Sequence, residues 1–309
     1  MSEFNAAQFM ADLATTYGDP SAFSELVFGT PFHKGQESYA KQATADLNFL
    51  LPGNSWGKTE FIVRFALYVG WFKDGPLRPT AFEDWLHARF NILLASYEYD
   101  TIGESFDRLE REYNNNPRVK SLISSITSSP RGEIVLANGT RIDFGTLKDQ
   151  GKHVEATRYS AIFVDEAGHI PDISYTYDSV LYPRTMGVSG RVHFIGTPKP
   201  HSDPYLLEVF EKGKDGKDPF YFSYSGSVLE NEFWTEDERV RVFQNPRYVK
   251  GWRPVEHDEE LGVLHLAVRD IDGVPSVPIL TPMGRQVILG AFVIAGGYFF
   301  NRFHVQRWV

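Results

Sequence analysis

The chain of 309 residues has no cysteine, no signal-like amino terminus and no apolar run long enough for a membrane. Without cysteine it forms no disulfide and no thiolate metal site, which fits a reducing compartment. The first twenty residues have neither a basic start nor a long apolar core, so no signal peptide is expected. The longest apolar run, Val287 to Phe300, is interrupted by glycines and is too short to cross a bilayer, and we interpret it as paired strands.

An excess of positive charge is also missing, since the net charge is −9 at pH 7. Proteins that coat themselves with nucleic acid are usually basic. Any contact with nucleic acid must therefore be local, confined to one face or to a ring of assembled subunits. The hydrophobic content of 42% is ample for a core, which indicates a soluble globular chain.

The stretch from Leu47 to Phe65 predicts a strand, a phosphate-binding loop and a helix. An apolar run leads into Gly57-Lys58-Thr59, and apolar side chains then recur on one helical face. Such a loop cradles phosphates with backbone N–H groups, a lysine reaches the outer phosphates, and a hydroxyl holds Mg²⁺. Pro52 stands where the usual pattern has its first glycine, so the alternative is a structural turn that happens to carry these residues. The loop positions before the lysine are Gly53, Asn54, Ser55, Trp56 and Gly57.

A second group of candidate residues is Asp165-Glu166, which follows the apolar run from Ala161 to Val164. Carboxylates at the carboxyl end of a buried parallel strand lie where open α/β sheets bind ligands. One can hold the magnesium shell while its neighbour orients and polarises a water. The alternative is that both merely open a helix, where acidic residues are favoured.

Two further polar residues are candidates with equally plain alternatives. Thr197 ends the apolar strand that begins at Arg191, so its hydroxyl can sense the γ-phosphate; a simple turn at Gly196-Thr197-Pro198 is the alternative. Gln36 opens a helix before the loop, and its amide can pair with N6 and N7 of adenine. An exposed helical glutamine is the alternative there.

The remaining pattern predicts an α/β fold with a mainly parallel central sheet and a smaller α+β part. The apolar run from Phe90 to Ser96 predicts a strand that is covered on both faces. A helix is predicted over Thr101 to Tyr113, and a hairpin with its turn at Asn138-Gly139 is predicted over Glu133 to Thr146. Pro76 to Leu86 is interpreted as a loop. Beyond residue 204 short helices alternate with strand-like pieces, so we divide the chain into a core, 1–204, and a small subdomain, 205–309. The pieces interpreted as strands there are Pro219 to Tyr224, Gly262 to Val268 and Val287 to Ile294, with an exposed hairpin over Arg269 to Val277.

The order and spacing of these motifs resemble the ATPase domain of the large terminase subunit of tailed bacteriophages. The resemblance rests on PGNSWGKT, LLASYEYDTIGESF, IFVDEAGHI and IGTPKP, with Gln36 ahead of the loop. It implies a P-loop NTPase fold of the additional-strand, catalytic-glutamate type, with the small subdomain acting as a lid. In that arrangement we expect the carboxylate strand next to the phosphate-loop strand and the Thr197 strand on its other side.

The resemblance also implies roles for single residues. Gln36 contacts adenine, Lys58 reaches the β- and γ-phosphates, Thr59 and Asp165 hold Mg²⁺, Glu166 is the catalytic carboxylate, and Thr197 couples hydrolysis to movement. The family often has an arginine inside the phosphate loop, where this chain has Asn54 and Trp56. A neighbouring subunit in a ring can supply that cation instead. Arg158 is the first candidate, then Arg131 or Arg141; each is otherwise a surface arginine.

The function implied is hydrolysis of ATP with Mg²⁺ to move double-stranded DNA into a procapsid. The partners implied are DNA, the portal protein, the small terminase subunit and further copies in a homo-oligomeric ring, in the host cytoplasm at the portal and away from any membrane. Nuclease activity is not expected from this chain. Two alternatives stay open: a helicase-like translocase, or a nucleotide-binding assembly module without turnover.

Overall fold

A sheet of eight strands, of which six run parallel, organises the molecule. The computed structural model describes residues 4–74, 90–128, 132–151, 154, 157–197, 202–255 and 262–291. The spatial order of the strands is β3-β4-β5-β2-β6-β7-β1-β8. The strands are β1 (Leu47–Leu50), β2 (Asn91–Ser96), β3 (Ile123–Thr127), β4 (Glu133–Leu136), β5 (Arg141–Thr146), β6 (Ala161–Asp165), β7 (Arg191–Ile195) and β8 (Tyr221–Tyr224).

Helices cover both faces of this sheet, and most begin at a residue suited to capping. Asp19 caps a helix that starts with Pro20, and Thr281 caps one that starts with Pro282. The helices are α1 (Ala6–Thr15), α2 (Pro20–Phe28), α3 (Lys34–Gln42), α4 (Lys58–Phe72), α5 (Tyr99–Asn115), α6 (Pro117–Leu122), α7 (Pro204–Asp215), α8 (Glu236–Gln244) and α9 (Pro282–Leu289). Short helical turns join β6 to β7, at Ala167–His169, Ile173–Tyr175, Thr176–Leu181 and Tyr182–Thr185.

The central strands are buried on both faces, as their continuous apolar runs predict. One core cluster lies under α1 to α4 and is rich in aromatic rings; the other lies under α7 and the turns that follow β6. Phe61, Phe65 and Phe163 pack in series from the start of α4 into the sheet. The phosphate-loop helix is therefore fixed rigidly on the strands that carry the candidate site.

The strand order corrects one prediction. We expected β6 next to β1, but β7 lies between them and pairs in parallel with both. The strand that ends at Thr197 is thus the additional strand of the sheet. Its position brings Thr197 between the phosphate loop and the Asp165-Glu166 pair.

A second sheet of three strands comes from the last part of the described chain. It contains β9 (Val249–Pro254), β10 (Arg269–Ile271) and β11 (Val274–Leu280), and the predicted hairpin over Arg269 to Val277 is confirmed as β10 and β11. The division of the chain near residue 205 stays a prediction. However, Tyr221–Tyr224 pairs in parallel with β1, so this strand extends the core sheet and not the small one.

Two strands predicted in this region are wrong. Residues Gly262–Ala267 form a 3-10 helix. Val287 to Leu289 end a helix instead of starting a strand, because Thr281 and Pro282 open that helix and Gly290, at a φ of +63°, terminates it. The remainder of the predicted strands, 292–300, lies outside the described residues, as does the loop predicted over Pro76 to Leu86.

The other element predictions are confirmed within a few residues. The hairpin around Asn138-Gly139 pairs β4 with β5, and Gly139 has the positive φ that the turn requires. None of the described helices is both long and apolar enough to span a bilayer.

Candidate active site

The loop between β1 and α4 presents an open helix N-terminus at the carboxyl edge of the sheet. Ser55 and Gly57 have φ angles of +63° and +90°, which turn the backbone sharply before Lys58 begins the helix. Gly57 occupies the capping position and has no side chain with which to bind the first N–H groups of the helix. Thr59, half-buried, lies in the same first turn. Free N–H groups and the helix dipole together favour an anion there.

Lys58 connects the loop to the two neighbouring strand ends. Its Nζ donates to the Thr197 hydroxyl at 3.0 Å and lies 3.6 Å from Oε1 of Glu166. Thr197 is buried, and the side chains of Lys58 and Glu166 are only 12% and 25% exposed. The structure therefore brings Lys58 together with two residues that lie more than a hundred positions later in the sequence.

Asp165 and Glu166 form a carboxylate pair at the end of β6. Asp165 is 2% exposed and one of its oxygens accepts the N–H of Glu166 at 2.8 Å. The pKa of Asp165 is raised to about 7, chiefly by burial and then by the charge of Glu166, while Lys58 acts in the opposite direction. Within the described residues Oε2 of Glu166 is buried without a hydrogen-bond partner. This concentration of negative charge beside a single lysine suits a divalent cation and a bound water.

The backbone of Glu166 is held in an uncommon conformation. Its φ is +51°, in the left-handed region. Gly196, at the end of β7, lies against it: a Cβ at position 196 would stand 2.7 Å from the nitrogen of Ala167 and 3.2 Å from the backbone carbon of Glu166. The neighbouring strand thus helps to fix where the Glu166 carboxylate points.

Trp56 lies under the loop, within the core. Its side chain is fully buried, packs edge-on against His33 and Phe61, and directs its indole N–H toward Glu230 at 3.5 Å. Glu230 also accepts from the hydroxyl of Tyr224 at 2.8 Å. The indole therefore ties the loop to the segment that follows β8.

Gln36 and His33 hold the loop from the other side through backbone carbonyls. Nδ1 of His33 accepts from the N–H groups of Gly35 and Gln36, so Nε2 carries the proton and donates to the Trp56 carbonyl at 2.9 Å. The Gln36 amide lies 3.4 Å from the carbonyls of both Trp56 and Gly57, and its oxygen accepts the N–H of His33. Gln36 is buried, not exposed, and an adenine contact requires its amide to exchange these partners.

Two of the three arginines proposed from the sequence lie away from this edge. Arg158 precedes β6, and its guanidinium packs by Gly187. Arg141 starts β5 and pairs with Asp143 and Glu133. Both sit at the amino ends of strands, so neither reaches the site of its own chain across a strand that rises about 3.3 Å per residue. Arg131 lies outside the described residues.

Sequence reasoning missed His33 and Glu230, the two side chains that hold the loop from below. His33 caps α3 in a reciprocal arrangement with Gln36, and the spacing of the two residues, three apart, was the available signal. Glu230 lies in a 3-10 turn after β8, and no local pattern indicates that it reaches Trp56. In the described part of the chain no three His, Asp or Glu side chains converge on one point to form a metal site.

The fold and the phosphate loop together define a P-loop nucleoside triphosphatase fold with an additional strand. No protein-family model matches the chain, and no curated protein matches it by sequence. Solved structures do match it. The large terminase of bacteriophage HK97 aligns with a TM-score of 0.51 and 18% identity, over 67% of this chain and 43% of that one.

A second match is the ATPase domain of the large terminase of Thermus phage P74-26. It aligns with a TM-score of 0.52 and 17% identity, over 73% of this chain and 90% of that domain. The likeness is therefore to the ATPase part, and this chain spans less than half of the HK97 protein it matches. At this level of identity the fold is what the proteins have in common.

Proposed function

We propose that this chain is an ATP hydrolase, the ATPase domain of a large terminase that packages viral DNA. The observation that carries the proposal is the convergence of Lys58, Thr197 and Glu166 beside an uncapped helix N-terminus. The triphosphate binds the N–H groups of the loop and the first turn of α4, with Lys58 on the β- and γ-phosphates.

The donor set at this edge fits Mg²⁺. Thr59 offers a hydroxyl and Asp165 a carboxylate, and hard oxygen ligands of this kind are what Mg²⁺ prefers. Burial first, and the charge of Glu166 second, raise the pKa of Asp165, and a bound cation would offset both by favouring the ionised carboxylate. When bound, the ion neutralises charge on the phosphates during transfer.

Glu166 provides the group that acts on water. Oε2 is buried and lacks a hydrogen-bond partner among the described residues, so it is available to accept from a water next to the γ-phosphate. The carboxylate orients and polarises that water, whose oxygen attacks the γ-phosphorus while the bond to the β-phosphate oxygen breaks. Lys58 and Thr197 contact the γ-phosphate in this proposal, and Gln36 is proposed to read the adenine.

The work done by hydrolysis is proposed from the fold. The matched proteins are phage large terminases, so we infer that a homo-oligomeric ring of this chain moves double-stranded DNA. The ring is proposed to bind a portal protein and a small terminase subunit in the host cytoplasm. An overall charge of −9 restricts the DNA contact to a local surface of the ring. The cation that stabilises the transition state is proposed to come from a neighbouring copy, with Arg158 as the first candidate.

The test compares two variants in binding and in turnover. Lys58→Ala should lose both nucleotide affinity and hydrolysis. Glu166→Ala should keep its affinity and lose turnover by about 10²–10⁴-fold, as for removal of a general base. Affinity is measured with a fluorescent ATP analogue, and phosphate release is measured with and without double-stranded DNA.

Matched controls are Lys217→Ala and Glu208→Ala, which remove one lysine and one glutamate from the surface. Both should behave as the wild type. Unchanged turnover in Glu166→Ala contradicts the assignment of the catalytic carboxylate. Nucleotide binding without any turnover in the wild-type chain, with or without DNA, favours the alternative of an assembly module.

A further inference from the structure

The end of helix α9 is seated on the phosphate loop through backbone contacts. The N–H of Asn54 donates to the carbonyl of Val287, in the last turn of α9, at 2.9 Å. The neighbouring N–H of Gly53 donates to the carbonyl of Gly226, in the segment that follows β8, at 2.8 Å. A Cβ on Gly53 would stand 2.2 Å from the Val287 oxygen, and one on Gly290 would stand 2.3 Å from the Leu51 oxygen. The two glycines thus allow the loop and the helix end to interlock.

The side chain of the same asparagine reaches the catalytic group. Oδ1 of Asn54 accepts from the hydroxyl of Thr197 at 3.1 Å. Because that hydroxyl has only one hydrogen, its lone pairs face Lys58, which donates to it at 3.0 Å. The orientation of the Thr197 hydroxyl is therefore set by Asn54.

These contacts form one continuous path. It runs from the Val287 carbonyl through the backbone and side chain of Asn54 to Thr197, then to Lys58, and ends 3.6 Å further at Glu166. We propose that Asn54 is a positioning residue for the Lys58–Glu166 pair, and that the end of α9 determines where Asn54 stands. This inference rests on the hydrolase function proposed above.

The contacts of Asn54 differ from those expected of a residue that binds phosphate. The N–H of Asn54 is engaged by a helix carbonyl, and helix C-termini carry partial negative charge, so this end of the loop does not favour an anion. Position 54 needs a neutral acceptor, since a carboxylate there repels the phosphates. Asn54 is also exposed, so shortening it leaves no cavity in the core.

The first experiment uses the full chain and measures kcat, KM and the melting temperature. Asn54→Ala should lower kcat by about 10-fold and leave KM within about 2-fold, the pattern for a group that acts on the transition state. Its melting temperature should equal that of the wild type. Asn115→Ala, which removes an exposed asparagine from the end of α5, is the matched control and should retain wild-type kcat.

A double substitution separates action through Thr197 from an independent effect. If Asn54 works by orienting that hydroxyl, Asn54→Ala combined with Thr197→Val should be no slower than Thr197→Val alone. Asn54→Asp restores the acceptor and should recover much of kcat, while the added charge raises KM. The inference is overturned if the fold-loss of kcat in the double variant equals the product of the losses in the two single variants.

Gly290→Ala tests the contribution of α9, because Gly290 directly follows the last residue of this helix. The new methyl group must push the helix end away from Leu51, so kcat should fall in the same direction as in Asn54→Ala, and the combination of the two should not fall further. If the wild type hydrolyses ATP and Asn54→Ala has the same kcat, the positioning role is overturned and the proposed function is not. A wild type without ATP turnover overturns the proposed function and this inference together.

Discussion

Glu166 occupies a left-handed backbone conformation that residues with a side chain seldom adopt. The strand next to it ends in Gly196, whose missing side chain leaves room for the backbone of Glu166 and Ala167. The left-handed backbone at Glu166 and the glycine that leaves room for it on the adjacent chain segment form a local arrangement that neither residue specifies alone. The position of the carboxylate therefore depends on residue 196 as much as on residue 166.

Gly196→Ala should displace Glu166, because the added Cβ meets backbone atoms that cannot rotate away. We expect kcat to fall by about 10²-fold with nucleotide affinity kept, the cost of misplacing a catalytic group by roughly 1 Å. Steady-state kinetics and analogue binding measure the two quantities. Gly103→Ala, in helix α5 with open space around it, is the control, and full activity in Gly196→Ala would contradict this account.

His33 is neutral in the folded chain, where its unprotonated Nδ1 caps α3 and its Nε2–H donates to the Trp56 carbonyl of the phosphate loop. Burial lowers its pKa to about 4, from an ordinary value near 6.5. Between these two values the unfolded chain takes up a proton that the folded chain does not, so the free energy of unfolding falls as the pH falls. His193, buried beside Tyr39 with its pKa lowered to about 3, acts in the same direction.

His33→Asn should remove the share of this pH dependence that belongs to His33, since asparagine still caps a helix but does not titrate. The loss of stability from pH 7 to pH 4 should shrink by about 2–3 kcal/mol. Urea unfolding at a series of pH values gives this difference. If the free energy of unfolding falls equally with pH in the variant and in the wild type, a group other than His33 takes up the proton.

Trp56 anchors the element formed by the loop and α4. Because the indole is fully buried among His33, Phe61 and the Glu230 network, Trp56→Ala should destabilise the fold by about 3–5 kcal/mol. Trp56→Phe should cost less, as it keeps most of the packing and loses the N–H that faces Glu230. Denaturant midpoints measure both, and a loss below about 1 kcal/mol in Trp56→Ala would contradict the burial.

The sequence predicted those elements whose signals are local. Alternation around Asn138-Gly139 was enough for a hairpin, and the apolar run before Asp165 was enough for a buried strand. It failed at Val287, where an apolar run with glycines favoured a strand although Thr281, Pro282 and Gly290 carry the start and stop signals of a helix. It also did not show that Trp56 lies beneath the loop, since the partner, Glu230, is remote in the chain.

The order of the strands was likewise beyond local signals. Both β6 and β7 are apolar runs that end in polar residues, and nothing in either run says which one pairs with β1. The candidate residues Lys58, Asp165, Glu166 and Thr197 were nevertheless found, because carboxyl ends of parallel strands meet at one edge whatever their order.

At the scale of the whole molecule, neither Arg158 nor Arg141 contributes to the site of its own chain. Arg158 and Arg141 lie at the opposite edge of the sheet, where a neighbouring copy in a ring could use them. If a neighbour supplies the cation, the specific rate of ATP hydrolysis should rise with protein concentration. Phosphate release over a 100-fold range of about 0.1–10 µM, with sedimentation to follow assembly, measures this. A constant specific rate over that range would mean that each chain is catalytically complete.

The position of β1 has a consequence for the way the protein is made. This strand is synthesised early, but its two neighbours are β7, which pairs Val192 with Leu47, and β8, which pairs Tyr221 with Leu47. The phosphate loop that follows β1 also contacts Glu230 and the end of α9, which are synthesised later still. Contacts this distant in sequence form slowly and late. A growing chain therefore completes the candidate site only after nearly all of the described residues have left the ribosome.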